Sequence, residues 1–310
     1  MMSANPETSD QSRLFERFID PVDMIACFPA DTSLREINQT VSKHGLYFPL
    51  FCDPERSLRD HINALEYTSA SARFGAYVDN IPGMNWILPG GQVARIGERV
   101  VKSTTGYDLL RYLLHTNERF GSASDYVIRL RPLSPEAYYF TLTGSAKALR
   151  AISESIVKST WSHWIDCCDA VTDSNSTQIE LSGHCLQDEG VKFRKYFENL
   201  TQQHDAEIST SAANTAGEIP SFMIKTIPSQ MEVISRQCLE ALGGRSRQLL
   251  VNGVVLAYPE TPPNRDWLAR AHETAAQHGG HLHSINSQTT TSNQNEATWV
   301  ESILQSWKQI

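Results

Sequence analysis

The spacing of apolar residues along the chain changes repeatedly, and each change marks a predicted element. The first predicted strand is the apolar run over residues 22–28, which is followed by a helix that begins at the capping-box pattern SLRE, residues 33–36. Apolar residues then recur at spacings of three and four, and Gly45 can adopt the left-handed conformation that ends a helix. Residues 46–51 are predicted to be extended.

The middle of the chain has the pattern of a β-rich region. Residues 84–88 and 92–96 flank the turn signal Pro-Gly-Gly, which predicts a hairpin. The leucine-rich residues 108–115 predict a short buried helix that Leu109 helps to hold onto the sheet. The alternation over residues 126–131 predicts a further strand.

The second half alternates between strand and helix patterns. Strands are predicted over residues 138–143, 178–181, 221–227 and 248–257, and helices over residues 146–157 and 190–202. This order predicts helices packed on one face of an antiparallel or mixed sheet, so the expected fold class is α+β. No internal repeat is evident in the sequence.

Pro132 and Pro135 indicate a domain boundary near residue 135, because proline removes a donor from a sheet and often marks the exit from it. Two later segments are poor in large apolar residues and are expected to be mobile. The predicted organisation is a disordered tail over residues 1–20, followed by two domains over residues 21–135 and 136–310. Within the second domain, residues 209–218 and 284–297 are the two predicted mobile loops.

Composition excludes several classes of function. With 310 residues, of which 40% are hydrophobic and 20% charged, the chain has the make-up of an ordinary globular protein with room for two cores. The net charge of −8 and the scattering of basic residues among acidic ones argue against nucleic-acid binding. No apolar run has the length of a membrane span, and the polar N-terminus lacks the features of a secretory signal, so we expect a cytoplasmic protein without membrane insertion.

The six cysteines show neither a CxxC pair nor the spacing of metal ligands. They are interpreted as reduced thiols, so neither a zinc site nor a disulfide framework is expected. The sequence also lacks a nucleophile-elbow motif and a Walker loop. These patterns therefore name no catalytic residue.

Four blocks of sequence, in order, resemble a known family: residues 29–49 (PADTSLREINQTVSKHGLYFP), 83–92 (GMNWILPGGQ), 97–109 (GERVVKSTTGYDL) and 121–132 (GSASDYVIRLRP). The stretch KSTTGYDL is the most specific piece. Together the blocks are similar to the second FAD-binding subdomain of the FAD-linked oxidases, which have the vanillyl-alcohol-oxidase or PCMH-type fold. With the later segment AAQHGGHLHS, residues 275–284, the layout is similar to that of the smaller flavin-domain subunit of bacterial glycolate oxidase.

The resemblance implies an architecture, a cofactor and a setting for the protein. The expected fold is a residual second subdomain of a PCMH-type FAD-binding domain, followed by a cap-like sheet-and-helix domain. The expected cofactor is FAD, which would accept a hydride from a 2-hydroxy acid of the glycolate or lactate type and pass electrons to partner subunits of an oxidoreductase complex. The flavin contacts that the resemblance carries over are Pro54, Ser57, Leu58, Arg73, Gly75, Gly106, Gly121 and Ser122.

Three departures from the family pattern support an alternative. Family members begin with a glycine-rich subdomain whose backbone approaches the FAD pyrophosphate, and only about 20 residues precede Pro21 here. By position, Arg59 and Asp60 replace a pair of glycines that presents backbone to the flavin ring. Near residue 120, Gly121 is the survivor of two family glycines. The alternative is a cofactor-free accessory or scaffolding subunit of such a complex.

Two of the carried-over residues have open interpretations. Arg73 could neutralise a phosphate or be an ordinary surface arginine. The block that contains Gly106 could lie beside the flavin or simply organise the turn into the following helix.

Overall fold

The computed structural model describes residues 14–49, 53–64, 67–99, 109–116, 118–134, 136–160, 164–185, 189–210, 220–261, 264–277 and 280–284. In these residues the chain forms two large antiparallel sheets with helices packed against them, so the expected α+β fold class is confirmed. Across the same ranges, no helix has both the length and the apolar character that crossing a membrane requires.

The first half of the chain forms a five-stranded sheet and a short separate ladder. Its strands are β1 (Phe18–Asp20), β2 (Ile25–Pro29), β3 (Leu46–Tyr47), β4 (Gly83–Ile87), β5 (Val93–Gly97), β6 (Ser122–Arg129) and β7 (Arg131–Pro132). Its helices are α1 (Leu34–Val41), α2 (Leu58–Ala64), α3 (Ser71–Phe74) and α4 (Leu109–Leu114). The sheet order is β1-β2-β6-β4-β5, and β3 pairs with β7 beyond the last residue of β6. The predicted hairpin is confirmed as β4 and β5.

Helix α1 follows directly from its local sequence. The Ser33 hydroxyl accepts a hydrogen bond from the Glu36 N–H at 3.2 Å, which caps the first turn as predicted. Gly45 has a φ of 70° and ends the short 3-10 turn that continues the helix. The residues that α1 buries in the core of the first sheet are Leu34, Ile37 and Val41.

Helix α4 lies where the leucine pattern predicted a helix, but it packs through different residues. Leu113 and Leu114 are buried, whereas Leu109 is 40% exposed. The expected role of Leu109 in holding the helix onto the sheet is therefore wrong. Leu109 is the first residue of the helix, and the contact with the core is made by Leu110, Leu113 and Leu114.

Residues 14–20 do not belong to a disordered tail. β1 pairs with β2, and Phe15 is buried against the first sheet. The Phe15 N–H donates to Asn85 Oδ1, and Asn85 Nδ2 donates to the Phe15 carbonyl, both at 2.9 Å. The predicted tail is wrong for these residues, because bonds to a partner 70 positions away leave no local signal. Residues 1–13 lie outside the described residues.

The second half forms an eight-stranded sheet. Its strands are β8 (Glu136–Thr143), β9 (Ile165–Thr172), β10 (Thr177–Cys185), β11 (Glu207–Ser209), β12 (Phe222–Lys225), β13 (Arg245–Leu249), β14 (Val254–Tyr258) and β15 (His281–Ser284). Its helices are α5 (Ala146–Lys158), α6 (Glu189–Gln203), α7 (Met231–Leu242) and α8 (Arg265–Gln277). Of the two loops expected to be mobile, only residues 209–210 and 284 are described; the remainder lies outside the described residues.

The order of elements in the second sheet reveals a duplication that is not evident in the sequence. The succession strand, helix, strand, strand, helix, strand occurs twice, from β8 to β11 and from β12 to β15. The sheet order β11-β8-β10-β9-β13-β14-β12-β15 places equivalent strands symmetrically about the pair β9 and β13. The two units share an arrangement of elements that different residues can build, so sequence comparison alone does not detect the repeat.

Several features of the second sheet were not predicted, among them the edge strand β11. Strand β9 was missed because Asp166 and Asp169 interrupt its apolar run, although both carboxylates are buried. Helix α7 was missed as well. Residues 248–257, predicted as one strand, contribute to the two strands β13 and β14, because Gly253 with a φ of 68° allows a tight turn between them.

The two halves meet where α3 packs against β9. Arg73 Nη1 donates to Asp166 Oδ1 at 2.7 Å, and Ser69 Oγ donates to Asp169 Oδ2 at 2.5 Å. Both carboxylates belong to β9, so the segment that contains α3 is held to the second sheet by polar bonds. These bonds fix the position of one sheet relative to the other.

Candidate functional site

Three loops meet at the first residue of β6, and we call residues 30–32, 53–60 and 118–121 the β6-start loops. They contain four of the eight flavin contacts that the family resemblance carries over: Pro54, Ser57, Leu58 and Gly121. The Ala30 N–H donates to the Ser124 carbonyl at 2.9 Å, and the Arg59 N–H donates to the Ala30 carbonyl at 2.8 Å. The first two loops are thereby attached to β6 and to each other.

Arg59, at a position where the family pattern has glycine, ties the three loops together. Its Nε donates to Asp31 Oδ1 at 2.8 Å, and its Nη1 donates to Glu118 Oε1 at 2.5 Å. Burial alone would lower the pKa of Arg59, but the hydrogen bonds to the two carboxylates raise it above its ordinary value. The guanidinium stays charged, and its charge is neutralised within the loops.

The middle β6-start loop, residues 53–60, continues into helix α2, and backbone amides of both donate hydrogen bonds of 2.8 to 3.3 Å to other groups of the protein. The donors are Glu55, Arg56, Leu58, Arg59, Asp60 and His61. Their acceptors are oxygens of Ala30, Thr32, Asp53 and Ser57. A phosphate or flavin cradle needs amides that point outward without a partner, and these amides already have partners.

The flavin contacts expected from this loop have structural roles. The Pro54 carbonyl accepts a hydrogen bond from the Arg35 N–H at 2.8 Å. The Ser57 hydroxyl accepts one from the Asp60 N–H at 3.1 Å, in the position of a helix cap for α2. Leu58 is fully buried in the core of the first sheet.

Gly121 has a steric reason to be glycine. Its φ is 125°, and a Cβ there would lie 2.1 Å from the Ile87 carbonyl oxygen and 2.7 Å from Trp86 Nε1. Trp86 Nε1 also donates to the Phe120 carbonyl at 3.1 Å, so the loop lies directly against β4. Ser122 begins β6 opposite Ile87. Close approach of two backbones explains Gly121 without a cofactor.

Arg73 and Gly75 lie apart from the β6-start loops, at the junction of the two sheets. Arg73 donates to the fully buried Asp166, so it is not an ordinary surface arginine. Gly75 ends α3 with a φ of 75°, and a Cβ there would lie 2.6 Å from Asp79 Oδ2. Gly106 lies outside the described residues.

The β6-start loops do not fit FAD in the way that the resemblance implies. A flavin cradle would need close backbone approach at Arg59 and Asp60 and unpartnered amides around them. Instead, the Arg59 side chain binds two carboxylates and the amides are bonded internally. We therefore assign no reaction step to FAD in these loops.

The junction holds a second group of paired polar side chains, of which sequence analysis identified only Arg73. Asp166, on β9, has no exposed side-chain area and is shared by two partners: Arg73 at Oδ1 and the His184 Nδ1 at Oδ2. The His184 ring lies 5.3 Å from the ring of Tyr47, centroid to centroid. Two adjacent strands of the second sheet, helix α3 and strand β3 thus contribute to one group of side chains.

A neighbouring network on the same sheet contains Asp169. Arg247 Nη1 donates to Asp169 Oδ2 at 2.9 Å and lies 2.9 Å from Glu180 Oε2. Burial raises the pKa of Asp169, although Arg247 and the Ser69 hydroxyl act in the opposite direction. Asp169 Oδ1 is buried and has no hydrogen-bond partner among the described residues.

The sequence did contain a signal for these residues. Two carboxylates within one apolar run, as in the sequence IDCCDAVT of β9, are unusual in a buried strand and call for charged partners. The partners are distant in sequence: Asp166 and Arg73 are 93 positions apart, and Asp169 and Arg247 are 78 apart. Only the fold reveals which residues they are.

Sequence comparison relates the chain to FAD-linked oxidoreductases. It is 30% identical over 98 residues to the mitochondrial D-lactate dehydrogenase [cytochrome] of Arabidopsis thaliana, a match that covers 32% of this chain and 17% of that protein. It is 20% identical over 115 residues to an uncharacterized FAD-linked oxidoreductase of Mycobacterium tuberculosis, covering 37% of this chain and 25% of that protein. A D-lactate dehydrogenase of Archaeoglobus fulgidus is 22% identical over 121 residues, covering 39% of this chain and 27% of that protein. No model of a known protein family matches the chain.

Structure comparison extends the similarity to nearly the whole chain. The fold is similar to that of an alkyldihydroxyacetonephosphate synthase, with a TM-score of 0.64 over 95% of this chain and 66% of that chain. The sequence identity of 11% makes this a likeness of fold alone. The matched segments span only 17% to 27% of the sequence relatives' length. The comparisons thus show sequence similarity to FAD-linked oxidoreductases over about a third of the chain, and a likeness of fold over almost all of it.

Proposed function

We propose that this chain is an accessory subunit of a FAD-linked 2-hydroxy-acid oxidoreductase complex, and that it does not itself bind FAD in the β6-start loops. The observation that carries this proposal is the position of Arg59. Its bonds to Asp31 and Glu118 join the loops to which the resemblance assigns flavin contacts. Ion pairs within these loops stabilise the fold, and the loop backbone is then not available to bind FAD.

The class of complex is supported by the sequence relatives. Two of them are named D-lactate dehydrogenases, and D-lactate is a 2-hydroxy acid. The similarity to the flavin-domain subunit of glycolate oxidase points to the same substrate class, since glycolate is the simplest 2-hydroxy acid. A chain that keeps this fold while using its loop charges internally is suited to holding a catalytic partner.

A FAD titration tests the cofactor part of the proposal. Calorimetry with the purified full chain should give no saturable binding up to about 10 μM FAD, which corresponds to a binding free energy weaker than about −7 kcal/mol. The variant Arg59→Gly should bind FAD more tightly than the wild type, because it frees the loops. Arg56→Gly is the matched control, since Arg56 lies in the same loop and its side chain makes, among the described residues, only a 3.6 Å ionic contact with Asp53. Stoichiometric binding of FAD by the wild-type chain below 1 μM would overturn the proposal.

A second measurement tests the role as a subunit. The tagged chain, purified with its partners from its own cells, should bring down a flavoprotein, and the complex should reduce a dye when a 2-hydroxy acid is added. Dissociating the complex should leave the flavin with the partner. Flavin that stays with this chain, or a chain that purifies alone from active extracts, would contradict the accessory role.

The second candidate is a FAD-binding 2-hydroxy-acid oxidoreductase subunit. The 30% identity to the Arabidopsis thaliana enzyme favours it, because the matched region includes 98 residues of a protein named for its redox activity. This candidate requires FAD to be bound through groups other than the middle β6-start loop. The same titration separates the two candidates.

A further inference from the structure

A group of polar side chains lies at the end of β6 that is opposite to the β6-start loops. We call it the junction cluster, and it consists of Tyr47 on β3, Arg131 on β7, Tyr139 on β8 and His184 on β10. β6 has 8 residues, which at about 3.3 Å per residue separate its two ends by roughly 26 Å. The junction cluster is therefore distinct from the loops discussed above.

Aromatic contacts and strand pairing hold the cluster together. The Phe74 ring lies 5.3 Å from the Arg131 guanidinium carbon and 6.5 Å from the Tyr47 ring. Tyr47 and Arg131 are direct partners in the β3-β7 ladder. On the second sheet, Tyr139 pairs with Ser182 and Ala137 pairs with His184, so the side chains of Tyr139 and His184 project from one face as diagonal neighbours.

Within the described residues, the two tyrosine hydroxyls of the cluster lack an acceptor, and its arginine lacks a charged one. Arg131 donates only to neutral oxygens, the Leu130 carbonyl at 3.1 Å and Asn80 Oδ1 at 3.0 Å. The hydroxyls of Tyr47 and Tyr139 make no hydrogen bond to any residue in the described part of the chain. His184 uses Nδ1 for Asp166, and its Nε2 has no partner there.

The charges around the cluster leave one positive charge uncompensated. The nearby carboxylate, Asp166, is already shared by Arg73 and His184. Arg131 has no carboxylate within ion-pair distance among the described residues. Burial lowers the pKa of Arg131, and the neighbouring Arg129 and Arg73 lower it further, so an anion would relieve an unfavourable arrangement. Burial also raises the pKa of Tyr47, which keeps its hydroxyl protonated and able to donate.

We propose that the junction cluster is a binding site for a small carboxylate anion. A carboxylate carries the single negative charge that the site lacks, and its two oxygens match the paired N–H groups of a guanidinium. The hydroxyls of Tyr47 and Tyr139 supply further neutral donors around it. The site does not depend on FAD and does not rest on the proposed accessory role.

Isothermal titration of the full-length protein tests the site with sodium acetate, with sodium phosphate as the competing anion and sodium chloride to hold the ionic strength constant. Acetate should bind saturably and more tightly than phosphate. Arg131→Gln should weaken acetate binding at least tenfold, because a hydrogen-bonded charge is removed. Tyr47→Phe should weaken it about fivefold, in line with the loss of one neutral hydrogen bond. The matched control is Arg236→Gln, at an exposed arginine paired with Glu232 on α7, which should leave acetate binding unchanged.

The outcomes are separable. Absence of saturable acetate binding to the wild type, tighter binding of phosphate than of acetate, or unchanged binding in Tyr47→Phe would each overturn the proposal. If Arg131→Gln fails to fold, Tyr47→Phe and Tyr139→Phe carry the test, because each removes one hydroxyl donor and keeps the aromatic ring. Loss of acetate binding in these variants, with the control intact, supports the site.

Discussion

The two ends of β6 use charged and polar side chains in opposite ways. At its first residue, Arg59 is neutralised by Asp31 and Glu118, and the amides of the loop are bonded internally. Beyond its last residue, Arg131 binds only neutral oxygens, and the Tyr47 hydroxyl has no hydrogen bond within the described residues. The family resemblance points to the first end, whereas the unsatisfied donors lie at the other. Sequence similarity therefore identifies a shared fold here. Candidate binding sites are identified instead by which side chains have partners and which do not.

The largest expected effect is at the junction. Asp166→Ala should lower the free energy of unfolding by about 3 to 5 kcal/mol, because it leaves buried partners of a carboxylate without their acceptor. Asp166 has no exposed side-chain area and binds both Arg73 and His184. Urea denaturation of the variant and the wild type provides the measurement.

The matched control lies at the other end of β6. Asp31→Ala also removes a carboxylate from an arginine, but the Asp31 side chain is 78% exposed, so a loss of at most about 1 kcal/mol is expected. Equal losses at the two sites would mean that the junction carboxylate is solvated and that the contrast between the two ends is wrong.

Gly121→Ala should have the next largest effect, a loss of about 1 to 3 kcal/mol from backbone strain. A Cβ at this position would lie 2.1 Å from the Ile87 carbonyl oxygen. Gly90→Ala is a suitable control, since a Cβ there meets nothing within 4 Å. A Gly121→Ala protein of wild-type stability would remove the steric explanation and return this glycine to the list of cofactor contacts.

The sequence predicted those parts of the fold that depend on local pattern. The cap and apolar face of α1, the β4-β5 hairpin and the α+β class all follow from residues within a few positions of each other. Strand β9 was missed because its two carboxylates face partners on α3 and β13 that only the fold brings near. Residues 14–20 were misjudged for the same reason, since Phe15 is held by Asn85.

The candidate sites were predictable only in part. The glycine positions identified by resemblance are indeed special, but Gly75 and Gly121 are explained by close contacts with Asp79 and Ile87. The replacement of glycine by Arg59 was visible in the sequence, whereas its two partners were not. The junction cluster gave no motif at all, because its four residues come from four separate strands.

A smaller, pH-dependent effect is expected beneath the β6-start loops. His61 is fully buried and its Nε2 lies 2.8 Å from the Asp53 carbonyl, so Nε2 carries the proton and Nδ1 stays unprotonated. Burial lowers the pKa of His61, with the Asp53 carbonyl opposing the shift. Below a pH of about 6.5 the unfolded chain binds a proton that the folded chain does not. Stability is therefore lost as pH falls from there toward the lower pKa of the folded state.

The measurement is the free energy of unfolding between pH 7.5 and 5.5. The wild type should lose stability with a slope of at most about 1.4 kcal/mol per pH unit from this group, and His61→Gln should lose less. His44→Gln, at an exposed histidine, controls for the removal of a histidine in general. A His61→Gln protein with the same pH slope as the wild type would show that the buried imidazole does not contribute.

The smallest expected effect concerns the ion pair that closes the β6-start loops. Arg59 and Glu118 are 22% and 28% exposed, so solvent screens their attraction, and a double-mutant cycle with Arg59→Gln and Glu118→Gln should give a coupling energy of about 0.5 to 1 kcal/mol. The exposed pair Arg150 and Glu154 on α5 is the control, for which about 0.3 to 0.5 kcal/mol is expected. Because the Arg59 pair joins loops 59 positions apart, its loss should also speed hydrogen exchange of the amides in the middle loop, whereas loss of the α5 pair should not. A coupling no larger than that of the control, with unchanged exchange, would mean that backbone hydrogen bonds alone hold the loops in place. The arrangement of the β6-start loops would then not depend on Arg59, which replaces the family glycine.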